Sequence, residues 1–282
     1  MTHHALGAGE YALFCQLIEK RLGIRLGPDK HYFLEAKLKP LLAEYQCATY
    51  FDLYHRLGQD HGHDRRDMLA EAVITNETSW FRDGGPFRAL AEELFPALMR
   101  GPETANRRIR IWSAACATGQ EPYSIAITYF ETLRSGGGAR PLMLEILATD
   151  VSAVCLAAAK RGVYGHHAME RGMPSDIKAR YFSHCAREYE ITGEVKNLVT
   201  FERRNLKDDF SRIGAFDVIF MRNVTIYFAA GFREELLERV AKALKPGGCL
   251  FLGSSESLPE RCGAFSLQKA GGALFYRRGQ DG

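Results

Sequence analysis

Residues 109–127 read IRIWSAACATGQEPYSIAI. A short β-type run, IRIW, enters a loop of very small residues, and an amphipathic helical pattern, EPYSIAI, leaves it. This is the layout of a strand–loop–helix nucleotide site, in which glycines usually let the backbone approach the ligand. Here only Gly119 is a glycine, and the loop is otherwise Ser113, Ala114, Ala115, Cys116, Ala117 and Thr118. The stretch predicts either a cofactor loop of unusual composition or a tight turn between a strand and a helix.

The surrounding pattern decides for an α/β fold. From residue 107 onward, strand-like runs IRIW, LEILATD, LVTFER, FDVIFM and CLFLGSS alternate with helical patterns at 121–134, 152–161 and 231–245. Such alternation predicts a parallel sheet wrapped by helices. The end, AFSLQKAGGALFYRR (264–278), reads as two short strands around Gly271-Gly272, a hairpin signal. A sheet closed by an antiparallel hairpin is the outline of methyltransferase folds.

The first hundred residues read as helices only. EYALFCQLIEKRLG (10–23) puts Leu13, Phe14, Leu17, Ile18 and Leu22 on one face, and Gly23 ends it. Pro28 can start the next helix, PDKHYFLEAKLKPLLAEY, which Pro40 is expected to kink or interrupt. Thr49 is the expected N-cap of TYFDLYHRL. Two further helical patterns lie in 68–81 and 86–99, and GPETANRR (101–108) is the expected connection between the halves.

Composition narrows the function classes. With 46% hydrophobic and 25% charged residues, the 282-residue chain is an ordinary globular protein of one large or two modest domains. A formal charge of +3 is too small for a general nucleic-acid binder. No apolar run approaches the ~20 residues that cross a bilayer, and MTHHALGAGEYALF lacks the plan of a secretory signal. The seven cysteines are scattered and never spaced CxxC, which fits reduced thiols in a cytoplasmic protein and no structural zinc. His166-His167 and His184-Cys185 lack a third ligand at suitable spacing, so no metal site is expected.

Candidate site residues fall at strand ends, where open α/β sheets bind their ligands. Asp150 closes LEILATD, 31 residues past Gly119, where a carboxylate can meet ribose hydroxyls or cap the following helix. FDVIFMRNVTIYF (216–228) runs from a buried strand straight into Arg222, Asn223 and Tyr227.

TNETSWFRD (75–83), SAACATGQEPYSIA (113–126), ATD (148–150), FDVIFMRNVTIYF and KPGG (245–248), in this order, resemble the CheR chemotaxis receptor methyltransferases. The resemblance covers nearly the whole chain. It implies a SAM-dependent, Rossmann-like α/β methyltransferase with an antiparallel C-terminal hairpin, a small inserted β-subdomain and an all-α N-terminal domain. The parts expected are an N-terminal helical domain (1–84), a linker helix and connection (85–107), and a SAM-binding catalytic domain (108–282) with the β-subdomain at about 183–201. The implied reaction is methylation of glutamate carboxylates on the cytoplasmic helices of chemoreceptors, with S-adenosyl-L-methionine (SAM) consumed and S-adenosyl-L-homocysteine (SAH) released.

At matching positions the resemblance implies that Asn76, Thr78, Arg82, Ala115, Glu121, Asp150, Asn205, Leu206, Arg222 and Asn223 line the cofactor pocket. Arg82, Arg222 and Tyr227 are the expected reaction-centre residues, and the division of labour between the two arginines stays open. Arg25, Lys30, Lys37 and Lys39 are either a solvated face or, by the resemblance, the surface that grips acidic receptor helices. In enteric members of the family the β-subdomain binds a pentapeptide tether on the receptor. The corresponding stretch, SHCAREYEITGEVKNLVTF (183–201), is several residues shorter, which implies a tether-independent enzyme. A monomer is expected.

The chemistry needs no conventional base, because a glutamate with a reference pKa of about 4.3 is already ionised at neutral pH. Cys116 is expected to pack rather than to act as a nucleophile. The missing glycines also find a reason, since SAM carries no phosphate, and Glu121 suits a cationic ligand at a helix start. The competing readings are a methyltransferase for nucleic acid or small molecules, a catalytically idle SAM-binding regulator of a chemosensory pathway, and a nicotinamide-dependent dehydrogenase. The first lacks a base-stacking motif, the second is opposed by Arg82, Asp150, Arg222 and Tyr227, and the last lacks GxGxxG.

Overall fold

The computed structural model describes residues 5–59, 63–100, 108–136, 142–259 and 263–280. The expected connection at 101–107 lies outside these residues. The N-terminal half contains α1 (Ala8–Leu22), α2 (His31–Glu44), α3 (Tyr50–Gln59) and α4 (His63–Val73). Their apolar faces share one core around Phe14, Ile18, Leu34, Leu38, Leu53 and Leu69, all fully buried. Thr49 caps α3 as expected, its hydroxyl accepting from the Asp52 N–H at 3.1 Å while Asp52 accepts from the Thr49 N–H. Pro40 does not interrupt α2, which continues to Glu44. Pro40 and Ala36, whose carbonyl loses its partner, both lie on the exposed face, where water can replace the lost bond.

The second half is built on a seven-stranded sheet ordered β6-β2-β1-β7-β8-β10-β9. Its parallel members are β1 (Arg108–Ala114), β2 (Met143–Asp150), β6 (Val199–Arg203), β7 (Phe216–Met221) and β8 (Leu244–Leu252). The antiparallel hairpin β9 (Phe265–Ala270) and β10 (Ala273–Arg278) closes one edge, joined at Gly271-Gly272 as expected. Helices α7 (Gln120–Ser135), α8 (Ala153–Arg161) and α9 (Ala230–Ala243) accompany the sheet. One apolar cluster includes Ile111, Val218, Phe220 and Phe251, and another includes Trp112, Ile219, Leu250 and Leu237. Alternate residues of β1 and β7 thus enter opposite cores, as strand periodicity requires.

Two boundaries differ from expectation. Residues 75–84 pack with the α/β half: Trp80 is buried, its ring edge-on to Tyr164 and Phe182, and its backbone N–H donates to the Arg171 carbonyl at 3.0 Å. The segment at 85–99 does the same, running through α5 (Gly85–Ala89), a π turn (Leu90–Leu94) and α6 (Phe95–Met99). The small second sheet, ordered β3-β5-β4, begins at β3 (Val163–Gly165) and adds β4 (Phe182–Cys185) and β5 (Glu188–Ile191). Val199–Arg203, which begins inside the expected subdomain at 183–201, pairs instead with β2, because its parallel register sets Phe201 opposite Ala148 and buries it in the main core.

Candidate active site

Strands β1, β2 and β7 end at one side of the sheet, and the loops that follow them line a cavity of about 370 Å³. Its opposite wall comes from the helical half, through the segment after α1 and the residues after α4. The cavity brings together Asn76, Thr78, Arg82, Ala115, Glu121, Asp150, Asn205, Leu206, Arg222, Asn223 and Tyr227 from five separate stretches of sequence. Arg25 and Lys30 line it too, whereas Lys37 and Lys39 do not.

The opening loop is shaped by its small residues. Ala115 and Ala117 take left-handed conformations (φ 60° and 47°), as does Gly119 at φ 93°. A Cβ on Gly119 would lie 2.9 Å from the Ala159 Cβ, so the start of α7 can approach α8 only as glycine. Burial pushes the Cys116 thiol well above its ordinary pKa, which keeps it protonated and unsuited to nucleophilic attack.

Asp150 is buried and locked by two backbone donors, Ala117 N–H at 2.8 Å and Ser152 N–H at 2.9 Å. Burial nevertheless raises its pKa, with the neighbouring Glu71 adding to the effect and the backbone bonds opposing it. Asp150 therefore both braces the loop and presents a carboxylate to the cavity. The cap of α8 falls to Ser152, whose hydroxyl accepts from the Cys155 N–H. Glu71 of α4 accepts from both the Ser152 hydroxyl at 2.6 Å and the Val154 N–H, joining the two halves beside the pocket.

Arg222 is among the most enclosed charges in the protein, its side chain 1% exposed. Its guanidinium donates to Asp83 Oδ2 at 2.7 Å, Glu121 Oε2 at 2.9 Å and the Arg82 carbonyl at 2.8 Å. Glu121 also accepts from the Ser113 hydroxyl at 2.8 Å. This network clamps the turn at 81–84, in which Phe81 and Asp83 hold left-handed φ angles of 46° and 66°, over the loop after β1. Arg222 thus reads as an internal brace, while Arg82 and the 39%-exposed Tyr227 are open to the mouth. Asn205 is likewise partly engaged, donating from Nδ2 to the Arg21 carbonyl at 2.8 Å.

Sequence reasoning missed Glu256. Its buried carboxylate accepts backbone N–H bonds from Asn223, Val224, Thr225, Ile226 and Gly253, and a bond from the Thr225 hydroxyl. It thereby fixes the turn that carries Asn223 and Tyr227. In GSSES (253–257) it is a single acidic residue in a hydroxyl-rich loop, and nothing local marks it as the acceptor for so many backbone donors.

The donor set fits SAM. Glu77, Glu121 and Asp150 suit a cationic ligand with an amino group and ribose hydroxyls, and the small loop residues leave room for it. Among the described residues no group of three His, Cys, Asp or Glu side chains could hold a metal ion, and no helix is long and apolar enough to cross a membrane.

Comparison with known proteins agrees with this geometry. Residues 76–272 match the CheR methyltransferase, SAM binding domain, and residues 9–73 match the CheR methyltransferase, all-alpha domain. The chain is 37% identical over 279 residues to chemotaxis protein methyltransferase 1 of Vibrio cholerae, covering 98% of this chain and 99% of that one. It is 36% identical over 269 residues to chemotaxis protein methyltransferase 1 of Pseudomonas aeruginosa, covering 95% and 97%. The chemotaxis protein methyltransferase of Salmonella typhimurium is 32% identical over 285 residues, with 98% and 92% covered. With both of its halves matched in order and SAM as the cofactor of the larger, this chain belongs to the CheR methyltransferase family.

Proposed function

We propose that this protein methylates glutamate side chains on the cytoplasmic helices of chemoreceptors, forming methyl esters that adapt the sensory signal. The observation that carries this reading is the cavity mouth. Arg82, Tyr227, Arg25 and Lys30 gather there, so an acidic side chain meets cations and a phenol just outside a cofactor pocket lined with carboxylates. SAM supplies an electrophilic methyl group on a sulfonium sulfur and departs as SAH.

The substrate carboxylate attacks through an oxygen lone pair, the new C–O bond forms as the methyl–sulfur bond breaks, and the bonding pair stays on sulfur. No proton moves. Opposite charges are annihilated, so a strongly polar environment favours the ground state over the transition state. What the protein has to supply is alignment and exclusion of water. Arg82 and Tyr227 serve as positioning groups for the incoming carboxylate, and the Arg222 network holds Arg82's turn in place. Asp150 holds the ribose, and Asn76, Thr78, Ala115, Asn205, Leu206 and Asn223 complete the cofactor pocket.

Lys37 and Lys39 extend the receptor-facing surface beyond the mouth, along α2 from Lys30. In this reading the protein works in the cytoplasm, as a monomer, and, given the short stretch at 183–201, without a pentapeptide tether. The test is tritiated SAM with receptor-bearing membranes, followed by mild base. Label released as methanol is the expected result; label that survives base, or no incorporation, sinks the reading.

A further inference from the structure

The helical half also reaches the cofactor pocket at Glu71, in the last turn of α4. Its carboxylate is shared between two donors at the start of α8: Oε2 accepts from the Ser152 hydroxyl at 2.6 Å and Oε1 from the Val154 N–H at 3.1 Å. The same hydroxyl accepts from the Cys155 N–H, and the Ser152 N–H donates to Asp150 Oδ1, both at 2.9 Å. Ser152 and Asp150 are both buried. One serine therefore stands between an acid of the helical half and the acid at the end of β2. Just past Glu71, Val73 and Ile74 begin the stretch of cavity wall that continues through Asn76 and Thr78.

The first N–H groups of a helix have no acceptor within it and carry its positive end, so a carboxylate there is doubly favoured. Helix α8 takes one acceptor from its own Ser152 and a second from α4. With its proton committed to Glu71, the Ser152 hydroxyl is held in one orientation, and the Ser152 N–H stays directed at Asp150. Asp150 spends one bond of each oxygen on a backbone donor, Ser152 and Ala117, so those two bonds fix the direction of its remaining lone pairs. Around it stand Cys116, Glu121, Cys155, its register partner Arg203 and the following Arg204, besides Glu71. Burial keeps both thiols protonated, and Glu71 adds to the rise in the Asp150 pKa that burial causes.

We infer that Glu71 is a positioning residue for the cofactor: acting through Ser152, it seats the Asp150 carboxylate for the ribose, so that the helical half helps set the affinity for SAM and SAH. This role rests on the proposed ribose contact of Asp150 and not on which carboxylate receives the methyl group. Glu71 lies outside the motifs that carry the family resemblance, and only the packing of α4 against α8 brings it to the pocket.

Calorimetric titration of the full chain with SAH across a range of pH tests this, comparing Glu71→Gln, Glu71→Asp and Asp150→Asn with wild type. Glu71→Gln is expected to weaken SAH about fivefold at neutral pH. It should also move the loss of affinity on acidification to lower pH, because the anion that helps raise the Asp150 pKa is gone. Glu71→Asp keeps the charge but withdraws it by one methylene. It should weaken SAH to a similar extent with the acid limb near its wild-type position, and it carries the test if Glu71→Gln does not fold. In methyl transfer, KM for SAM should rise while kcat at saturating SAM stays close to wild type. Wild-type SAH affinity in the folded Glu71 variants, or an unmoved acid limb in Glu71→Gln, overturns the inference while Asp150→Asn still binds weakly. Undiminished SAH affinity in Asp150→Asn would instead sink the ribose assignment on which it stands.

Discussion

Glu256 concentrates the consequences of one side chain. Five backbone donors and a hydroxyl converge on it, so the turn bearing Tyr227 depends on a carboxylate with two acceptor oxygens. Glu256→Gln keeps the shape but turns an NH2 toward these donors, and is expected to lower kcat about tenfold in a methyl-transfer assay. Asp150 offers a pH signature. Its pKa is raised in the folded protein, so the carboxylate is protonated on acidification earlier than an exposed aspartate. In the proposed role the ionised form would accept ribose hydroxyls as well as its two backbone bonds. SAM affinity measured by calorimetry should therefore fall as pH drops through this raised value, and Asp150→Asn should bind weakly with a flatter profile. Arg222 and Tyr227 separate structurally. Arg222→Ala leaves the largely buried Glu121 without its cation, at a cost of up to about 3–5 kcal/mol for a buried pair, while Asp83, 36% exposed, keeps much of its hydration. The substitution should lower melting temperature and SAM affinity together with turnover. Tyr227→Phe, at a half-exposed site, should reduce turnover with SAM affinity nearly intact.

Among elements, the segment after α1 joins the two halves. Arg25 N–H donates to the Tyr227 carbonyl at 2.8 Å, Ile24 bridges Phe228, and Ala229 N–H donates to the Gly23 carbonyl at 3.0 Å. A residue of the helical half thus borders Tyr227, the proposed positioning group, through the main chain. Gly23 ends α1 at φ 73°, and a Cβ there would meet the Phe232 ring at 2.2 Å. Gly23→Ala is expected to cost about 1–3 kcal/mol by overpacking. A lower melting temperature accompanied by slower methyl transfer would show that the joint serves the site as well as the fold. The helices themselves were legible from capping and periodicity, as at Thr49 and in the apolar face of α1. Pro40 was misread because its cost depends on whether the orphaned carbonyl is buried, and sequence does not state which face α2 exposes.

At the scale of the whole molecule, the cofactor pocket sets the carboxylates of Glu121 and Asp150 beside the buried Arg222, and the exposed cations Arg25 and Lys30 also line it. Lys30 lies at the mouth, its side chain 54% exposed and 3.2 Å from Asp29, and Lys37 sits farther along α2 over the Phe33 ring. Reversing both charges should slow receptor methylation and make it less sensitive to salt, measured as rate against ionic strength, because long-range attraction to acidic helices is screened. Loss of neither rate nor salt dependence would make this a merely solvated face.

The sequence by itself determined the α/β alternation, the closing hairpin, the helical first half and the family, because strand and helix periods and the strand-end motifs are local patterns. Asp150, Glu121 and Arg222 were visible as polar residues where apolar strands or small loops end. Only the tertiary structure decided their partners. It turned Arg222 inward to Asp83 and Glu121, assigned Val199–Arg203 to the large sheet, and attached residues 75–84 to the α/β core through Trp80. It also made the Glu256 carboxylate the shared acceptor of five backbone N–H groups. Those outcomes depend on which groups are buried together and must satisfy one another's hydrogen bonds, and that is set by contacts between residues far apart in the chain.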